Sequence, residues 1–177
     1  MLYRVRNACI IFLFILLSFL LQYSVIVKIP FLKCSPNLML MTTFFFAYAR
    51  GRNSGMLVGF FAGLVIDIFY CDVIGYNMLV LVVIGLVCGS LGRVFYANNL
   101  FTPLSILMGS AFVYDILYYF FWFILQTTFA FKYILLHTII PELLLTFIAG
   151  VLLYKPSMFI IGKMYSYCDS DSEEEAL

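Results

Sequence analysis

The sequence predicts an all-α integral membrane protein, a bundle of six transmembrane helices. Composition is the first observation behind this. Of 177 residues, 65% are hydrophobic and only 11% charged, whereas a soluble domain is near half apolar and a quarter charged. So few charges cannot cover a water-facing surface. The second observation is recurrence: apolar segments follow one another along the chain, separated by short polar stretches. The third is the way the ten lysines and arginines sort between alternate connections. A net charge of +1 leaves no electrostatic footprint for nucleic acid.

The spans are drawn at about 8–27, 36–49, 55–70, 77–92, 102–126 and 133–154. Arg4 and Arg6 precede the first apolar run, as in a secretory signal. The run makes about 30 Å of helix and no small-residue cleavage site follows, so it reads as a retained span. The second segment is short, about 20 Å. A re-entrant hairpin with the third would strand Arg50 and Arg52 in the membrane at a cost of several kcal/mol each, so a full crossing is expected. Residues 29–32 would lengthen the span and Lys33 would snorkel to the interface. With the N-terminus inside, the inner side holds Arg4, Arg6, Arg50, Arg52, Arg93, Lys155 and Lys163, and the outer side Lys28, Lys33 and Lys132. That asymmetry obeys the positive-inside rule and puts both termini in the cytoplasm. Residues 1–165 form one transmembrane domain. The acidic tail, 166–177, is expected to be disordered because it has almost nothing to bury, and Ser166, Ser170 and Ser172 would suit phosphorylation.

Gly55, Gly59 and Gly63 fall on one face of the third helix, and Gly85 and Gly89 repeat the spacing in the fourth, with Gly92 following. Such stripes let backbones approach closely, either within the chain or against a partner helix. Asp67, Asp115 and Glu142 sit inside apolar helices and all map to the outer half. An intramembrane carboxylate is costly and is a functional candidate: cation binding, proton relay, burial in protonated form, or interhelical hydrogen bonds with Gln126, Thr127, Tyr114 or His137. Tyr114-Asp115 matches half of an aspartic intramembrane protease pattern, but the G-x-G-D half is absent. Pro141 follows His137 at i+4 and predicts a kink in the sixth helix. The lone histidine has no nucleophile–base order around it and reads as structural. There is no phosphate-binding glycine loop. Five cysteines without C-x-x-C spacing and a single histidine predict no metal site and no cofactor. Cys34 and Cys71 both map to the outer side, where a disulfide is permitted; two small buried hydrophobes is the simpler reading.

The ordered series Pro36-Asn37-Leu38-Met39-Leu40, Ala49-Arg50-Gly51, the glycine-spaced run Gly55 to Asp67, and Ile74-Gly75-Tyr76-Asn77 resembles the bacterial rod shape-determining MreD family. That family shows a Pro-Asn opening to its second helix, an Arg-Gly turn, a glycine-spaced third helix ending in Asp and a short outer loop with a glycine. The resemblance is clearest over residues 36–77 and looser elsewhere. Where family members often have proline after the Asp, this chain has Cys71-Asp72-Val73-Ile74.

The resemblance implies a fold similar to the six-helix substrate-binding subunits of energy-coupling-factor transporters. It implies a non-enzymatic scaffold that regulates cell shape during peptidoglycan elongation in the bacterial plasma membrane. The implied partners are an MreC-like single-span protein and, directly or indirectly, a SEDS glycosyltransferase, a transpeptidase and MreB. Arg50, Gly51, Gly55, Gly59, Gly63, Asp67 and Gly75 would be the family-defining positions. Asp67 would fix the outer end of the third helix, and Arg50 and Arg52 would anchor the inner turn to anionic lipid. A vitamin-type transporter subunit is the rival. Such subunits often carry a small-x-x-x-small stripe in the first helix, but no two of Ala8, Cys9, Ser18 and Ser24 lie four apart. An ion- or proton-coupled transporter using Asp67, Asp115 and Glu142 is the third reading, and no internal repeat supports it.

Overall fold

A computed structural model describes residues 2–25, 35–70, 75–94, 101–126 and 139–174. Among the described residues the chain is helical, with no strand. The elements are α1 (Leu2–Leu20, continued by a π-helical turn, Leu21–Val25), α2 (Leu38–Arg50), α3 (Arg52–Tyr70), α4 (Tyr76–Val94), α5 (Phe101–Gln126) and α6 (Ile140–Glu174). Segments Arg52–Tyr70, Phe101–Phe121 and Ile140–Lys163 are long and apolar enough to cross a membrane; Cys9–Tyr23, Leu38–Arg50 and Tyr76–Gly92 are shorter apolar helices.

The short second segment is the centre of the molecule. Every residue of α2 from Leu38 to Tyr48 is buried, and α1, α3, α4, α5 and α6 all pack on it. Its sequence is apolar all round, as a helix with no solvent face must be. The two hydroxyls in its middle bond within the fold: Thr42 to the Leu38 carbonyl (2.9 Å) and Thr43 to the Met39 carbonyl (3.0 Å). Thr42 also pairs with Ser18 of α1 at 2.9 Å. Thirteen residues suffice because α2 starts inside the bundle, not at its surface.

That start is possible because the first four amides of α2 all find acceptors. Leu38 N donates to the Pro36 carbonyl (3.0 Å) and Met41 N to the Asn37 carbonyl (3.1 Å). Leu40 N donates to Asn37 Oδ1 (3.0 Å), the N-cap bond. Met39 N donates to Gln22 Oε1 (3.1 Å), at the end of α1. Asn37 N in turn donates to Thr146 Oγ1 of α6 (3.2 Å). The Pro-Asn pair thus opens the helix, and two other helices complete its cap.

Gly51 alone separates α2 from α3. Its φ of 84° lies in the region only glycine adopts without strain, and its N–H closes on the Ala47 carbonyl at 2.8 Å. Helix α3 therefore begins at Arg52, three residues before the expected Gly55. The tight turn sets α3 against α4 along the glycine stripe. A Cβ at Gly55 would lie 2.6 Å from the Gly85 carbonyl oxygen, one at Gly59 2.8 Å from the Leu81 carbonyl carbon, and one at Gly63 2.5 Å from the Met78 nitrogen. Gly89 meets the backbone of Gly51 and Arg52, and Gly92 meets Tyr48. These faces are filled by the chain's own helices.

The sixth helix differs most from expectation. It is described from Ile140 and runs past Tyr154 to Glu174, through the segment expected to be a disordered tail. Its 35 residues make about 52 Å. Pro156 lies within it and forfeits an amide bond to the Leu152 carbonyl. Ser157 and Ile161 are buried just beyond, so the helix stays packed on the bundle past the proline. Pro141 falls in the first turn of α6, which follows a π-helical residue at Ile139. The expected kink at His137, and Cys34 and Cys71, fall outside the described residues.

Large apolar side chains of α1 (Phe12, Leu13, Leu17), α5 (Phe112, Phe120) and α6 (Ile148, Leu152) face outward, as lipid-facing surfaces do. The glycine packing yields a prediction. Gly59→Ala forces backbone against backbone and should destabilise by about 2 kcal/mol. Gly109→Ala, where an added Cβ meets nothing within 4 Å, should be neutral or slightly stabilising. Thermal unfolding of the two variants in detergent checks this; equal midpoints would refute it.

Candidate functional site: a polar layer at one end of the bundle

The helices alternate in direction, so the end of α3 and the start of α4 lie at one level. Asp67, one turn from the end of α3, is 1% exposed. Its carboxylate receives four N–H donors. Oδ1 accepts from Asn77 N (3.1 Å) and Asn77 Nδ2 (3.0 Å). Oδ2 accepts from Gly75 N (3.0 Å) and Met78 N (3.0 Å). Asp67 therefore caps α4 across the connecting loop, and its negative charge sits at the positive end of that helix dipole. Gly75 makes the approach possible: its φ of 103° needs glycine, and its carbonyl accepts the Leu79 amide at 3.0 Å.

The network continues into α5. Tyr114 Oη donates to Asn77 Oδ1 at 2.8 Å. Asn77, fully buried, thus gives its amide hydrogens to a carboxylate and accepts a phenol proton, which fixes the orientation of its amide. Tyr76 Oη donates to the Leu117 carbonyl, and the Tyr76 ring stacks on Phe121 with centroids 4.1 Å apart. The α3–α4 pair is tied to α5 by these contacts, while Gln22, Asn37 and Thr146 tie α1, α2 and α6 together at the same end.

The four sequence-predicted polar positions separate in role. Among the described residues Asp67 bonds to the Gly75 turn and to the start of α4, not to Tyr114; Thr127, His137 and the side chain of Gln126 fall outside them. With both oxygens carrying two donors each, it has no position left to activate a water, so the aspartyl-pair chemistry loses one member. Asp115 is 3% exposed, and its Oδ2 has no hydrogen-bond partner. Glu142, in the first turn of α6, is half-buried. His137 lies outside the described residues. At the opposite end, Arg50 is half-buried and Arg52 exposed, flanking Gly51. Among the described residues no three His, Cys, Asp or Glu side chains gather to hold a metal.

Sequence reasoning centred on charges missed the neutral members of this layer. Gln22, Asn77 and Thr146 are single polar residues in apolar runs. Their signal was position: each falls within a turn or two of a helix end, where amides lack intrahelical partners.

The model of the family described as rod shape-determining protein MreD matches residues 3–164. No match was found among curated proteins or among solved structures.

The Asp67 cap should dominate the stability of this layer. Asp67→Asn exchanges acceptor lone pairs for an N–H₂ that faces donors, and should cost about 3 kcal/mol. Tyr114→Phe removes one donor and should cost about 1 kcal/mol. Denaturation midpoints of the two variants decide it; a Tyr114→Phe loss equal to or above that of Asp67→Asn contradicts the assignment.

Proposed function

This chain belongs to the MreD family of rod shape-determining proteins, and from that premise we propose that it is a non-catalytic scaffold subunit of the machinery that elongates the lateral cell wall. Its direct partner is an MreC-like single-span protein. Through that protein or directly it associates with a SEDS glycosyltransferase, a transpeptidase and MreB. The family match over residues 3–164 is the observation that carries the reading. The use of the polar side chains supports it: the saturated carboxylate of Asp67 and the caps at Asn37 hold helices in place.

In this reading the chain crosses the bacterial plasma membrane six times, with residues 1–165 as the transmembrane domain and both termini cytoplasmic. Alternation supports six crossings, because Gln22, Asn37, Asp67, Asn77, Tyr114 and Thr146, from all six helices, share one level. The Arg50–Arg52 end faces the cytoplasm, where seven of the ten basic residues fall, and these two arginines anchor the turn to anionic head groups. Partner recognition falls to the outward faces of α1, α5 and α6, since the glycine faces of α3 and α4 are used internally.

Affinity purification from the native membrane tests the reading. Recovery of an MreC-like protein with elongation synthases is expected; recovery of paired ATPases with a membrane coupling subunit would instead mean a transporter component. Complementation supplies a second check. Cells whose only copy carries Asp67→Ala or Gly59→Leu should lose rod shape and round up, and normal rods at native protein levels would reject the importance given to those positions.

A further inference from the structure

The lipid-facing surface of the bundle does not have one height. On α5 the exposed apolar side chains run from Phe101 to Phe120, and on α6 from Ile140 to Ile160, about 30 Å along each helix. That length matches a hydrocarbon core of about 30 Å. On α3 they run only from Leu57 to Tyr70, about 20 Å, and on α4 only from Leu79 to Val87, about 12 Å. The hydrogen bonds of the polar layer align these surfaces. Asp67, Asn77 and Tyr114 are joined by bonds of 3.0 and 2.8 Å, so they mark one level on α3, α4 and α5. From that level inward, Arg52 lies about 22 Å away on α3 and Phe101 about 20 Å away on α5. The two faces therefore start together at the inner end. Outward of the level, α3 ends at Tyr70 after about 5 Å, and α4 begins at the level itself. The apolar surface of α5 continues for about 9 Å, to Phe120. The step in height is at the outer end.

The short side cannot stretch. Gly55, Gly59 and Gly63 hold α3 on α4 backbone to backbone, and Asp67 holds the amides of Gly75 and Met78. Nor can the half-buried Gly75 turn sink into the hydrocarbon, because non-helical backbone facing lipid finds no water there for its polar groups. The lipid has to yield instead. We propose that the outer leaflet thins along the α3–α4 face and regains its full thickness at α5 and α6. This face then takes phospholipid with short or splayed acyl chains, while the opposite face takes an undeformed bilayer. The inference rests on α3 and α4 crossing the membrane as proposed above, and is independent of which proteins the chain assembles with.

The test uses the full chain in vesicles of dioleoyl phosphatidylcholine that carry nitroxide quenchers at known acyl depths. Trp122→Phe removes the single tryptophan, and single tryptophans are placed at exposed positions. Phe69→Trp and Phe120→Trp probe the outer ends of α3 and α5. Asn53→Trp and Phe101→Trp probe their inner ends, which share a level to within about 2 Å. Phe61→Trp lies midway along α3. Both outer probes are expected to be quenched most by the label next to the headgroup, with the same depth profile. A bilayer of uniform thickness would leave Phe69→Trp about 6 Å deeper than Phe120→Trp, and unequal outer profiles of that kind overturn the proposal. A tilt of the whole chain can also equalise the outer pair, but it carries Asn53→Trp deeper than Phe101→Trp; unequal inner profiles therefore overturn it too. Phe69→Trp quenched by no lipid label would mean that a second copy covers this face, with the same consequence. Phe61→Trp is expected to be quenched most from the acyl-chain ends. If it is not, α3 does not cross, and the crossing reading falls together with the proposal. If Phe69→Trp, whose native ring packs on Phe19 at 5.4 Å, does not fold, Ile68→Trp takes its place.

Discussion

A helix that begins inside an apolar medium exposes four backbone amides that no water can reach, and each must find an acceptor in the protein. Two helices of this bundle begin that way, and much of the architecture follows from how they are capped. At α2 the acceptors come from Pro36, Asn37 and Gln22. At α4 they come from one carboxylate on the preceding helix, with the Gly75 carbonyl completing the turn. In both cases a side chain from another helix is part of the cap. Helix initiation and helix packing are therefore the same event here: α2 cannot complete its first turn unless α1 is docked, nor α4 unless α3 is.

The glycine stripe works on the other half of the same problem. Hydrophobic association gives little between helices already surrounded by apolar groups, so contact must come from close approach. Gly55, Gly59 and Gly63 bring the α3 and α4 backbones together along their length. This holds the Asp67 carboxylate at the mouth of α4 to within hydrogen-bond distance. The Gly51 turn, at φ 84°, sets the start of that contact, and the Gly75 turn, at φ 103°, closes it. Residues that seem separate in sequence, two turn glycines, three stripe glycines and one aspartate, form a single device that fixes α3 on α4.

Much of this was legible. Hydropathy marked six apolar segments, and each corresponds to a described helix, because the 3.6-residue pattern and the breaks at Pro36 and Gly51 are local properties. The burial of Asp67 and the close approach at the glycines were legible from residue type. What could not be read was direction. The sequence gives no sign that Asp67 reaches forward eight to eleven residues to Gly75, Asn77 and Met78, rather than sideways to other helices, because that depends on how the loop folds back. The brevity of α2 looked like a difficulty for a spanning segment. It resolves only when α2 is seen as the centre, since burial by five neighbours is a tertiary fact. The continuation of α6 past Pro156 was hidden for the opposite reason: proline argues locally against helix, and packing of Ser157 and Ile161 overrides it.

Asp67 and Asp115 show how the same side chain takes opposite parts. Both are buried carboxylates in apolar helices, and both align with the same polar level. Asp67 is surrounded by donors that exist because two backbone turns end beside it, so its charge is matched by amides and a helix dipole. Asp115 lies in the middle of a continuous helix, where every nearby amide is already committed to its own i−4 carbonyl. No backbone donor is available to it. A carboxylate at a helix junction can be satisfied by the fold alone; one in the middle of a helix needs a donor from a side chain or from outside the chain. That difference makes Asp67 a structural element, while Asp115 Oδ2 is buried without a hydrogen-bond partner among the described residues.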